Sequence, residues 1–83
     1  MDRTVIPAED VAAVALIRQL TADGTARALR LRHRVSLREI AEVTGSTPGA
    51  VWKWETARRS IRSGEVARRY AEVLSTLLAL EAS

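Results

Sequence analysis

The chain has 83 residues, a net charge of +3 and no cysteine, which excludes disulfides, thiolate metal sites and cysteine nucleophiles and fits a reducing cytoplasm. Without an internal repeat, residues 1–83 read as one small domain, large enough for a helical core but too short for most enzymes with a deep pocket. The longest apolar run, Val11 to Ile17, is too short to span a membrane, and the leading residues lack the basic segment and cleavage site of a signal peptide.

Strand signals are weak, with no Phe, one Tyr and no sustained apolar–polar alternation, whereas Ala, Leu, Arg and Glu dominate. The expected fold is all-α, a compact bundle of about five helices ending in a long C-terminal one. Pro7 suits a first helical residue, Glu9 and Asp10 a first turn, and Val11, Val14, Ile17 and Leu20 recur at helical spacing until Asp23-Gly24. A second helix runs from about Thr25 to His33-Arg34, with Ala26, Leu29 and Leu31 as its apolar set. Ser36 with Glu39 three residues on forms a capping box for a third helix, carrying Leu37, Ile40, Ala41 and Thr44 and stopping at Gly45. Ser46 or Thr47 caps a fourth helix with Pro48 in its first turn and Val51 and Trp54 facing inward. RRSIRSG is a loop, and a last helix from about Gly64 to Ala82 carries Val66, Tyr70, Val73, Leu74, Leu77 and Leu78 on one face.

The third and fourth helices, joined only by a glycine-containing turn, make a helix-turn-helix. Ala41 is small where the axes cross, Gly45 takes a positive φ at no steric cost, and Ile40, Val51 and Trp54 fill the space behind. Charge is distributed to match. Residues 1–24 carry a net −2 and residues 63–83 a net −1, but residues 25–62 carry nine basic groups against three carboxylates, a net of +6. A polyanion-facing segment between neutral or acidic flanks fits that clustering.

The stretch SLREIAEVTGSTPGAVWKWETARR resembles the lambda-repressor-like, or XRE-type, helix-turn-helix family. Its members read Ser-Gln-x-x-Leu-Ala-x-x-Leu-Gly, then Val-Ser-x-x-x-Ile-x-x-Trp-Glu-x-Gly, then Lys or Arg. Ser36, Ile40, Ala41, Gly45, Thr47, Val51, Trp54, Glu55 and Arg58 match, and the resemblance spans about residues 25–62 as the core, with 1–24 an added N-terminal helix and 63–83 the C-terminal one. It implies a five-helix bundle and a dimer reading a near-palindromic double-stranded DNA operator. It also implies an ion pair between Glu55 and Arg30.

On this resemblance helix 47–57 enters the major groove. Pro48 and Gly49 stand where relatives carry base-reading polar side chains, leaving Thr47, Trp52 and Lys53 as candidates and the Pro48-Gly49 backbone free to come close to the DNA. Two residues apart on a helix, Trp52 and Trp54 point about 200° from each other. Trp54 is thus assigned to the core and Trp52 to the DNA side, or else to a neighbouring helix or protein interface. Phosphate contacts are expected at the helix N-terminus by Ser36, Leu37 and Arg38, and from Arg58, Arg59 and Arg62. Arg32 and Arg34 are less specific, and His33 reads as a loop residue without a partner.

Residues 64–82 either form a homodimer interface or close the core. The leading functional expectation is a transcriptional regulator of repressor or Cro-like type in the bacterial cytoplasm, at the nucleoid. The alternative is an antitoxin or other protein-interaction module whose terminal helices hold a protein partner. No nucleophile–base pair, metal cluster or phosphate-cradling glycine loop is apparent, so neither an enzyme, a cofactor nor a small-molecule substrate is expected.

Overall fold

The computed structural model of the protein describes residues 7–62 and 64–83. The leading six residues, on which the reading of a missing signal peptide rests, and Ser63 of the loop lie outside them. Among the described residues five helices follow one another: α1 (Ala8–Ala22), α2 (Thr25–Arg32), α3 (Leu37–Thr44), α4 (Pro48–Glu55) and α5 (Glu65–Ala82). Among the described residues there is no strand, and no helix is long and apolar enough to cross a membrane.

Local chemistry sets the helix ends. Pro7 sits one position earlier than expected, at the N-cap of α1. The Ser36 hydroxyl accepts the Glu39 N–H at 3.0 Å while the Glu39 carboxylate accepts the Ser36 N–H at 2.8 Å, closing the capping box of α3. Of the two candidate caps for α4, Thr47 serves, accepting the Ala50 N–H at 3.1 Å. Ser46 instead bonds side chain to side chain with Thr44 at 2.7 Å. Gly45 ends α3 at φ +74°, the left-handed conformation in which a β-carbon would be strained.

α5 is the spine, packing along α1 and also against α2 and α3, while α4 packs on α3. Its buried Ala67, Tyr70, Ala71 and Leu74 meet Ile17 and Leu20 of α1, Ile40 and Ala41 of α3, and Val51 and Trp54 of α4 in one core. Trp54 lies 5.3 Å from Tyr70, centroid to centroid. Among the described residues the Tyr70 hydroxyl has no hydrogen-bond partner, and burial, with Glu55 adding to it, holds its ionisation well above the usual tyrosine range. The α5 face that could have served a dimer is therefore largely taken up inside the chain.

Two expected core residues lie outside it. Val11 is 56% exposed and Leu31 49%. In each helix the preceding residue takes the inward position. Asp10 is buried because Arg68 of α5 donates to its carboxylate at 2.6 Å, and Arg30 is buried because of Glu55. His33 does have a partner: its Nε2 lies 2.8 Å from Glu81 Oε2, and Arg32 is 3.4 Å from the same carboxylate, tying the end of α5 to the end of α2.

The segment after α4 contains a strained residue. Ala57 adopts φ +58°, and the N–H groups of Arg58 and Arg59 both reach back to the Lys53 carbonyl, at 2.8 and 3.2 Å. This conformation costs an L-residue roughly 1–2 kcal/mol that glycine avoids. Ala57→Gly should therefore raise stability by about 0.5–1 kcal/mol, after the extra freedom of glycine in the unfolded chain is subtracted. Urea unfolding measures it; an unchanged or lowered midpoint would show that the turn is not strained.

Candidate nucleic-acid interface

The candidate interface is organised by a buried charge pair. Arg30 Nε and Nη2 donate to the two Glu55 oxygens at 2.6 and 3.0 Å, and Arg30 Nη1 donates to the Val35 carbonyl at 3.1 Å. Glu55 is 2% exposed, and Arg27 approaches it to 3.9 Å from the solvent side. The bidentate geometry links the last turn of α4 to α2 and to the residue preceding the α3 cap. Together with Val51 and Trp54 in the core, it fixes the roll of α4 about its axis.

That roll decides what faces outward. At about 100° per residue, Val51, Trp54 and Glu55 share the inner arc of α4 and Pro48, Gly49, Trp52 and Lys53 the outer one. All four outer residues are exposed, as is Thr47 at the cap. Trp52 is 40% exposed, with the Arg58 guanidinium 5.1 Å from its ring centroid. The left-handed turn at Ala57 brings Arg58 back over α4. Arg59 and Arg62 are exposed on the same segment, which is pinned to the core by Ile61, only 6% exposed.

The α3 N-terminus is partly occupied by the capping box that the sequence implies. Ser36 and Arg38 are exposed, but Leu37 is half-buried against the core. The N–H groups of Ser36 and Glu39 are bonded within the capping box. The hydrogen bond from the Ser36 backbone also holds the Glu39 carboxyl below its ordinary range, so a negative charge sits at this end. Ala41 is buried where α3 crosses α4, as the close approach of the two helices requires.

Sequence reasoning missed three contributors. Ile61 falls in a stretch read as loop, and a lone isoleucine among Arg and Ser was the available signal of an anchor. Arg58 was read as a phosphate ligand only; its place over Trp52 depends on the Ala57 turn. Arg27 beside Glu55 has no local signature. Among the described residues no cluster of side chains could hold a metal ion. Comparison of the chain with protein-family models, with curated proteins and with solved structures finds no match.

Proposed function

We propose that the protein is a sequence-specific regulator of transcription that binds double-stranded DNA, of the lambda-repressor-like, repressor or Cro-like type, acting in the cytoplasm at the nucleoid. The observation that carries this reading is the two-sided character of α4. One arc is locked into the core by Val51, Trp54 and the Arg30–Glu55 pair; the other presents Pro48, Gly49, Trp52 and Lys53 beside exposed Arg58, Arg59 and Arg62. A helix of this width fits the major groove, with the arginines toward the flanking phosphates. A near-palindromic operator would be read by two copies.

Titration of labelled random-sequence duplex, followed by anisotropy and tryptophan emission at several salt concentrations, tests it. Affinity should fall by about 0.9 log unit per log unit of salt for each phosphate neutralised. Emission quenching should be lost in Trp52→Phe and kept in Trp54→Phe. Absence of binding at low salt would reject the reading.

A second reading, a module that holds a protein partner, is favoured by one feature. An open groove of about 610 Å³ runs between α1 and the 60–62 segment, with Val11, Val14 and Ile61 among its lining residues. Copurification of a partner lost in Val11→Glu, together with no duplex binding, would support it.

A further inference from the structure

Resting on the DNA-binding reading above, we infer that α4 reads its site through C5-methyl groups of pyrimidines in the major groove, with the Trp52 ring beside the Gly49 notch as the contact surface. Three observations carry this.

The first is the inventory of the outer arc. Pro48 and Gly49 offer no side-chain hydrogen bond, and the Thr47 hydroxyl already accepts the Ala50 N–H at 3.1 Å. What remains is three donors, the Lys53 ammonium, the indole N–H of Trp52 and the Thr47 O–H, one free lone pair on that hydroxyl, and an apolar surface. Such a donor-rich and apolar surface matches acceptor atoms and methyl groups better than it matches the amino groups of adenine and cytosine. Thymine presents an acceptor, O4, next to its C5-methyl.

The second is Gly49. It lies within α4 with ordinary helical backbone, and a β-carbon built on it meets nothing within 4 Å. Neither the backbone nor the packing of this chain calls for glycine there, and glycine inside a helix weakens it. The missing side chain leaves a notch on the outward face, where a base edge can approach the backbone.

The third is the restraint on Trp52. Arg58 covers one face of the ring at 5.1 Å, a cation–π arrangement that orients the indole, and Trp52 stays 40% exposed. An oriented flat ring is the complement of a methyl group projecting into the groove.

The experiment starts from a duplex selected by the full chain out of a random pool. Each dT is replaced in turn by dU, which removes only the methyl group, and each dC by 5-methyl-dC, which adds only that group. At one or two positions per half-site the dU replacement should weaken binding about fourfold, the value of one buried methyl. That dT/dU ratio should fall to near one in Trp52→Ala and survive in Trp52→Phe. Gly49→Ala should raise the melting temperature yet weaken binding to the selected duplex. A loss confined to dU assigns the methyl to thymine; a gain on 5-methyl-dC assigns it to methylated cytosine as well. Equal affinity for dT and dU at every position, or a ratio that persists in Trp52→Ala, overturns the inference while leaving DNA binding intact. Failure to bind any duplex overturns both.

Discussion

Arg30→Ala should destabilise the protein by about 3–5 kcal/mol, the range for removing one partner of a buried ion pair. The loss is large because Glu55 remains, 2% exposed, in the space between α2 and α4, and because the Val35 carbonyl loses its donor as well. Arg27 limits the damage only partly, since it stands 3.9 Å from the carboxylate and its side chain is mostly in solvent. At roughly 4–8 °C per kcal/mol for a domain of this size, the melting temperature should fall by at least about 12 °C. Arg32→Ala, which loses only a 3.4 Å contact to Glu81 at the surface, should stay within about 0.5 kcal/mol. Replacing both partners with apolar residues of similar size, Arg30→Met with Glu55→Leu, should recover most of the loss, because the cost lies in the stranded charge. Thermal melts of the four proteins decide the matter; equal effects of Arg30→Ala and Arg32→Ala would reject it. Since the pair sets the roll of α4, Arg30→Ala should also weaken duplex binding without touching the DNA itself.

The second large effect is expected on DNA. Replacing Arg58, Arg59 and Arg62 together by Ala should reduce the salt slope of duplex binding by about 2.7, at about 0.9 per phosphate contact. The affinity loss at low salt should be on the order of a thousandfold, taking each charged hydrogen bond at about 1.5 kcal/mol. All three side chains are exposed, so the melting temperature should hardly move. Arg68 and Arg69 serve as controls: they are engaged with Asp10 and Glu65 on α5, and Arg69→Ala should leave the slope unchanged. If the triple variant keeps the parent slope, the phosphate-facing surface lies elsewhere, and Arg27, Arg32 and Arg38 become the residues to test.

The segment carrying these arginines shows how structure and interface depend on each other. Ile61 fixes it to the core, Ala57 turns it, and Arg58 then covers the Trp52 ring. Three roles thus fall within five residues. A change at Ala57 or Ile61 would reach the proposed DNA face by moving Arg58, without altering any residue on α4.

What the sequence by itself determined was local. Helix ends at Ser36, Thr47, Gly24 and Gly45 follow from side chains that bond the nearest backbone, or from a lone glycine in the left-handed region; both act within four residues. Val51 and Trp54 of α4 and Tyr70, Leu74 and Leu77 of α5 follow from helical periodicity, which sufficed for the all-α order of five helices; Ala67 and Ala71, too small to mark a stripe, are buried as well. Only the tertiary structure decided which residues at the edge of each stripe are buried. Val11 yields to Asp10 because a partner 58 residues away satisfies that charge, which no local pattern encodes; Leu31 yields to Arg30 because of Glu55, 25 residues away, a partner that the family resemblance implies but no local pattern does. The same holds for His33 against Glu81, Arg27 beside Glu55 and Arg58 over Trp52. Each contact joins segments whose approach depends on how the helices pack, and packing is a property of the whole core rather than of any stretch of chain.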